Sequence, residues 1–305
     1  MKNQQLVIGT RGSRLALSQA AIVREKLGEK FPDLKPEIKI IKTEADLKAE
    51  TPISLLVNKN AFVKALEDAL FSGEIDLAVH SLKDLPALLP QGLKLGAYLT
   101  HQGSPSDALV SRQEKKLAGL PPHAVIASSS PRRRLQLKLL REDLEFIEIR
   151  GNVDTRLKKL ESGAFNALIL AQAGLNRLGL SQHITEVFPP RVIIPAAGQG
   201  VMAAETRDSE AEILALLAAI DDSAQHYLSE LERSFLAYLE VDCQSPAGVW
   251  AEYTRQGVEV HFFLADSCGE NYLKETRPLP KKPAIILGRE LGESVKPQWE
   301  KMRKI

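Results

Sequence analysis

Basic residues gather where strand-like runs give way to helix-like ones. Arg11 follows the apolar run Gln5–Thr10, and Lys83 and Asp84 follow His80 and Ser81. Arg132, Arg133 and Arg134 follow Ser128, Ser129 and Ser130. Arg150 ends a strand-like run, Gly151 and Asn152 then open a helix carrying Arg156, and Arg177 stands just after Ala167–Ala171. In open α/β sheets the ligand crevice lies outside the carboxyl ends of the strands. Helix N-termini there present unpaired N–H groups and positive partial charge. Arginine adds a planar fork that matches carboxylate or phosphate oxygens in pairs. The pattern therefore points to a cleft for a ligand with several anionic groups. A solvated arginine face is the plainer alternative for any one of these residues.

Two further elements could do chemistry. In His80-Ser81-Leu82-Lys83-Asp84 a carboxylate sits directly beside a lysine at a strand end. Such a carboxylate serves as acid, base or cation stabiliser; a structural ion pair is the other reading. Cys243 stands in Asp242-Cys243-Gln244-Ser245-Pro246, a polar loop between a helix and a strand. A loop thiol is a nucleophile when its thiolate is stabilised and otherwise inert. No histidine and asparagine arrangement of a thiol protease surrounds it.

The elements that must hold these residues alternate. Gln5–Thr10, Ile38–Thr43, Ile75–His80, Ala124–Ser128, Phe146–Arg150 and Ala167–Ala171 read as strands. Helices read over Arg14–Lys30, around Phe62, Leu66 and Leu70, over Arg132–Leu140, and around Val153, Leu157 and Leu160. The alternation implies parallel or mixed sheets flanked by helices. The last third differs. Ser209–Glu240 reads as mostly helical, and Val249–Tyr253 and Val258–Leu264 read as antiparallel strands around Gln256 and Gly257. Pro278, Pro280 and Pro283 mark a turn region, and Ala284–Leu287 reads as a final strand. A small α+β domain is expected there.

The 305 residues suggest about two domains by length alone. The 40 basic and 39 acidic residues leave a formal net charge of +1, which argues against a chain built to coat nucleic acid or an anionic membrane. No run approaches the ~20 apolar residues of a membrane helix, and the start shows no signal-peptide core. A cytoplasmic protein is expected. Two cysteines, Cys243 and Cys268, make no disulfide scaffold. No cysteine and histidine cluster has zinc-ligand spacing, so no metal is expected.

The blocks IGTRGSRLALSQ, IDLAVHSLKDLP, SSSPRRRLQL, IRGNVDTRLKKLESGAFNALILAQAGLNRLGL and IPAAGQG occur in that order, followed by Cys243-Gln244. Together they resemble the porphobilinogen deaminase (hydroxymethylbilane synthase) family over about Leu6 to Ala251. The resemblance implies an α/β fold: two lobes like type II periplasmic binding proteins, with mixed five-stranded sheets, and a small C-terminal α+β domain with an antiparallel sheet. It implies domain 1 at 1–100 and 197–218, domain 2 at 101–196 and domain 3 at 219–305.

The resemblance also implies a transferase of porphyrin biosynthesis. Four porphobilinogen molecules are condensed stepwise onto a covalent dipyrromethane, ammonia leaves each time, and linear hydroxymethylbilane is released by hydrolysis. It implies Cys243 as the thioether anchor and Asp84 as the catalytic carboxylate. Ser13, Lys83, Ser129, Arg132, Arg133, Arg150, Asn152 and Arg156 are implied as cofactor contacts. Arg11, Lys59, Arg150, Arg156 and Arg177 are implied as substrate contacts. A monomer is implied, with a small-molecule substrate as its partner and no nucleic acid or membrane. Every pyrrole carries an acetate and a propionate, so the anion-binding pattern fits, and the cancelling acids are expected mostly elsewhere.

The chain departs from the family pattern in places. The Gly-Gly-Lys-Gly-Leu-Phe stretch reads Val57-Asn58-Lys59-Asn60-Ala61-Phe62, and Thr-x-Gly-Asp reads Thr43-Glu44-Ala45-Asp46. Arg-Glu-Asp-Pro-Arg-Asp reads Gln102-Gly103-Ser104-Pro105-Ser106-Asp107, and Gly-Gly-Cys reads Val241-Asp242-Cys243. An acid beside the thiol disfavours the thiolate. A catalytically impaired anion- or pyrrole-binding protein on the same scaffold is the alternative function. A periplasmic receptor would need an export signal, and a DNA-binding protein a helix-turn-helix or basic stripe.

Overall fold

The computed structural model describes residues 5–42, 63–241, 245–266 and 268–303. The expected anchor Cys243, the expected contact Lys59 and the altered stretches 43–46 and 57–62 lie outside the described residues. The strands are β1 Gln5–Thr10, β2 Lys35–Ile40, β3 Leu77–Ser81, β4 Leu93–Leu99, β5 Asp107–Ser111, β6 Val125–Ala127, β7 Glu145–Ile147, β8 Ala167–Ala171, β9 Glu186–Phe188, β10 Met202–Arg207, β11 Ala247–Thr254, β12 Gly257–Ala265 and β13 Tyr272–Leu279. The helices are α1 Arg14–Lys30, α2 Lys64–Phe71, α3 Pro131–Leu140, α4 Val153–Glu161, α5 Gln172–Arg177, α6 Ala211–Ala218, α7 Ser223–Tyr238 and α8 Ala284–Arg303.

By contact the chain divides into two compact units, residues 1–103 with 201–226, and residues 104–200 with 227–305. The first holds a five-stranded sheet of order β2-β1-β3-β10-β4. β1 runs parallel to β2 and β3, while β10 runs antiparallel to β3 and β4. β3 is buried over Leu77–His80, as expected of a strand covered on both faces. Ala20, Val23 and Leu27 recur at helical spacing on α1 and pack with Leu6, Ile8, Leu77 and Val79.

The second unit holds two sheets. Its five-stranded sheet has the order β7-β6-β8-β5-β9. β6 is parallel to β7 and β8, and β5 is antiparallel to β8 and β9. Both five-stranded sheets thus share one plan: three parallel strands with the first in the middle, then an inserted antiparallel strand, then an edge strand. Each sheet receives its antiparallel strand across a chain crossover, β10 after β9 in one case and β5 after β4 in the other. The architecture is α/β, with two mixed five-stranded sheets and a C-terminal antiparallel sheet. That sheet has the order β11-β12-β13. Leu231 and Phe235 of α7 and Leu287, Leu291, Val295 and Trp299 of α8 pack in one core with Val249, Val260 and Phe262 of the sheet.

Three sequence expectations are corrected. Ala284–Leu287 opens the 20-residue helix α8 rather than forming a strand. Ala284, Leu287, Leu291, Val295 and Trp299 are buried at three- and four-residue steps, while Ile285 and Ile286 are exposed. The short apolar run was the first turn of an amphipathic helix, which periodicity over four residues cannot reveal. Pro278 lies inside β13, which pairs with β12 alone and is therefore an edge strand, where the missing N–H is tolerated. β7 ends at Ile147, so Arg150 belongs to the following loop and not to the strand.

Candidate active site and anion-binding loops

In the first unit, the carboxyl ends of β1 and β3 meet the start of α1. Ser13 caps α1: its Oγ accepts from the Ala16 N–H at 3.2 Å. The Thr10 hydroxyl donates to the Ala16 carbonyl at 3.1 Å, which fixes the loop between them. Gln19, buried one turn further on, donates from Nε2 to the Ser81 hydroxyl at 2.9 Å and so ties α1 to the end of β3. After Ser81 the chain makes one tight turn, Leu82–Asp84, pinned by the Leu82 N–H donating to the Val201 carbonyl at 3.0 Å. Leu82 is buried while Asp84 is exposed. The turn therefore anchors its apolar residue and presents its carboxylate.

An open pocket results, lined by Arg11, Ser13, Gln19, His80, Ser81 and Asp84 among others. Arg11, Ser13 and Asp84, expected as site residues from the sequence, are brought together here. Lys83, half-buried in the same turn, stands beside them without lining the pocket. Behind the wall, His80 Nε2 lies 3.0 Å from Glu205 Oε2, both groups buried. Burial, and then the nearby Glu205, push the Glu67 carboxyl up from its ordinary range.

In the second unit, the loops after β6 and β7 are laced together. The Ser129 hydroxyl donates to the Ile149 carbonyl at 2.7 Å and accepts from the Ile149 N–H at 3.1 Å. The Ser128 N–H donates to the Ile147 carbonyl at 2.9 Å. Arg150, Gly151 and exposed Asn152 then lead into α4, and Arg156 Nε donates to the Gly151 carbonyl at 2.8 Å. Gly151 has φ +106°, and a Cβ there would stand 2.9 Å from the Thr155 side chain. Only glycine turns the chain so tightly there. Arg150 Nη1 is buried and makes no hydrogen bond among the described residues.

Arg132 and Arg133 open α3 on the same sheet and are buried on Asp107. Arg132 Nη1 donates to Asp107 Oδ2 at 2.8 Å and to the Ile194 carbonyl at 2.7 Å. Arg133 Nη2 donates to Asp107 Oδ1 at 2.6 Å and its Nε at 2.9 Å. Burial opposes ionisation of Asp107, but the two guanidinium groups hold its carboxyl well below the usual carboxylate range. One acid against two arginines leaves the cluster with a net positive charge. Arg177 ends α5 and donates from Nη2 to the Gly200 carbonyl; burial lowers it to about 10.

Sequence reasoning placed the acids mostly away from these arginines, and Asp107 stands among them. Its signal was readable: an aspartate heading the apolar run Ala108–Val110 is a buried acid in need of a counter-ion. Gln19 and Gln199 had no comparable signal. Among the described residues, Glu252, Glu259 and His261 also come within reach of one another. Arg191 binds both carboxylates, which makes this an ion-pair network across β11 and β12.

The fold and these loops define an α/β protein with an acid-bearing pocket on one five-stranded sheet and arginine-bearing loops on the other. A family profile described as porphobilinogen deaminase, dipyromethane cofactor binding domain, matches residues 6–215. A second, porphobilinogen deaminase C-terminal domain, matches residues 226–296. The porphobilinogen deaminase of Syntrophobacter fumaroxidans is 39% identical over 292 residues, covering 96% of this chain and 94% of the relative. That of a Roseiflexus species is 46% identical over 248 residues, covering 81% and 82%. Among solved structures, the VFT2 domain of Bordetella pertussis BvgS aligns with a TM-score of 0.42 at 16% identity, over 75% of this chain and 89% of that one. The chain belongs to the porphobilinogen deaminase family.

Proposed function

We propose that this chain is a working porphobilinogen deaminase, a transferase that condenses four porphobilinogen molecules in turn, releases ammonia at each step, and frees linear hydroxymethylbilane by hydrolysis. The observation that carries this reading is the first-unit pocket, where exposed Asp84 stands with Arg11 and the Ser13 cap. Loss of ammonia from porphobilinogen leaves an electron-poor carbon. A carboxylate fixed beside it stabilises the positive charge as it develops. The same carboxylate carries a proton between the departing amine and a pyrrole N–H. Arg11 and Lys83 serve as cationic partners for the substrate's acetate and propionate, with the α1 N-terminus adding positive partial charge.

The donor set of the second unit suits the dipyrromethane of this family. Two pyrrole rings bring two acetates and two propionates, and Arg150 offers a buried Nη1 that makes no hydrogen bond among the described residues. Ser129, Asn152, Arg156 and the net-positive Arg132–Arg133–Asp107 cluster complete the proposed holding residues, with Cys243 as covalent anchor. When bound, the dipyrromethane supplies the acceptor to which porphobilinogen units are added. Arg150, Arg156 and Arg177 hold the carboxylates that accumulate, and Lys59 adds a further cation. The proposed division is three domains, 1–100 with 197–218, 101–196 and 219–305. Among the described residues no helix is long and apolar enough to cross a membrane. We place the protein in the cytoplasm as a monomer, with neither nucleic acid nor membrane as partner.

Intact mass spectrometry of the purified chain tests the reading. The expected spectrum carries a covalent dipyrromethane, Cys243→Ser lacks it, and the wild type consumes porphobilinogen. A wild type that takes up no adduct and turns over no porphobilinogen contradicts it.

A further inference from the structure

Glu232 is a fully enclosed carboxylate on α7, 3% exposed. Its Oε2 accepts the Gly198 N–H at 2.7 Å and its Oε1 accepts the Ala251 N–H at 2.9 Å. Three stretches meet at this one group. Glu232 belongs to the helix that precedes Cys243, Ala251 to the strand that follows it, and Gly198 to the uncharged loop 196–200 that leads to β10. The loop is tied onward. Gln199 Nε2 donates to Asp107 Oδ1 at 2.9 Å and to the Pro105 carbonyl at 2.7 Å. Asp107 in turn holds Arg132 and Arg133. On the other flank, the Val249 N–H donates to the Pro195 carbonyl at 2.9 Å. A Cβ on Gly248 would stand 2.6 Å from the Ile194 carbonyl oxygen, so the two backbones are in close approach with no room to slide.

We propose, resting on the deaminase reading, that Glu232 is a positioning residue: its ionised carboxylate ties α7 and β11, the elements on either side of Cys243 in the chain, to the loop 196–200, and one proton loosens that tie. The reason is the direction of the hydrogen bonds. A carboxylate accepts at both oxygens. A carboxylic acid has one oxygen that carries a proton, and that O–H faces an N–H which also donates. Protonation therefore breaks one of the two bonds, and Glu232→Gln does the same, because its amide NH2 meets a backbone N–H. The usual mild substitution is here a mimic of the acid form.

The switch falls in a useful range. Burial, opposed by the two N–H groups, raises Glu232 to about 7. The charged groups and histidines on the surrounding elements are His226, Glu230 and Arg233 on α7, Glu252 on β11 and Glu259 and His261 on β12. Arg289, Glu290 and Glu293 lie exposed on α8, and Asp107, Arg132 and Arg133 stand beyond Gln199. None of them contributes to the shift, which burial and the two N–H groups set. Turnover is therefore expected to rise with pH through about 7 as the carboxylate ionises and closes both bonds.

Amide hydrogen exchange of the full-length, cofactor-loaded protein tests this directly, read at Gly198 and Ala251 and corrected for intrinsic exchange. One of these amides is expected to be about tenfold better protected at pH 8 than at pH 6, as loss of one buried hydrogen bond implies. Glu232→Gln is expected to stay at the low value at both pH values, to keep its covalent adduct, and to lose the acid limb of the turnover profile. Wild-type protection that ignores pH overturns the proposal, as does a Glu232→Gln chain with wild-type protection and an unchanged profile. Should the variant fail to fold, the wild-type pH comparison still decides. A wild type that consumes no porphobilinogen removes the deaminase reading, while the two amides still report on Glu232.

Discussion

The two five-stranded lobes share a strand plan but use their strand ends differently. In the first, the turn after β3 buries Leu82 and leaves Asp84 exposed at a pocket. In the second, another aspartate, Asp107, is buried at the start of the inserted strand β5 and is ion-paired with Arg132 and Arg133. One carboxylate is exposed at a pocket; the other is enclosed and ion-paired. The same residue type thus does chemistry or holds structure according to whether a loop exposes it or a strand encloses it. The proposed division of labour puts reaction at the first lobe's turn and binding of carboxylates at the second lobe's loops.

The comparison breaks most visibly at Asp107. Asp107→Asn leaves two buried guanidinium groups facing a neutral amide, and a loss of about 3–5 kcal/mol in unfolding free energy is expected in denaturant titration. A loss below about 1 kcal/mol would mean that the cluster is not a structural ion pair. Arg150→Ala comes next. It removes the guanidinium whose Nη1 makes no hydrogen bond among the described residues, so the apparent affinity for the growing chain should fall by about tenfold with little change in stability. Unchanged kinetics would count against the arginine-lined loops as the anion site.

The pH response sharpens the same contrast. Asp107 is held below its ordinary value of 3.8, so its contribution to stability is complete above that value and is lost as pH falls through the lower folded value. The unfolding free energy of Asp107→Asn should therefore vary less with pH below about 4 than that of the wild type. Glu232 has the opposite sign. Its folded value of about 7 exceeds 4.5, so its contribution is complete below 4.5 and is lost as pH rises through about 7. Thermal unfolding of Glu232→Gln should lack that decline between pH 4.5 and 7. The smallest effect belongs to Asp84→Asn, whose exposed side chain should alter unfolding free energy by no more than about 0.5 kcal/mol.

Much of this was legible in the residues. The apolar strands β1, β3 and β8 and the helical spacing on α1 and α4 marked the alternation, and the basic residues after them marked the loops. The strands that close the sheets were harder. β5 and β10 join their sheets across long crossovers, so nothing local ties Asp107–Ser111 to β8 or Met202–Arg207 to β3. Pairing of that kind is settled by tertiary contact and not by periodicity. The same limit hid the partners of Asp107, which lie 25 and 26 positions away. α8 was misread for the converse reason: its first four residues are apolar, and its repeat becomes visible only over the next dozen. Glu232 looked like any helical glutamate, since its two partners are backbone N–H groups of distant segments.

The division of labour is tested most directly by intact mass spectrometry of Asp84→Asn after exposure to porphobilinogen. The account predicts a folded protein that keeps its covalent dipyrromethane and extends it at least about a hundredfold more slowly than the wild type, because an amide offers no negative charge to the developing cation. A ladder of added pyrrole units growing at near the wild-type rate would contradict it and remove Asp84 from the reaction.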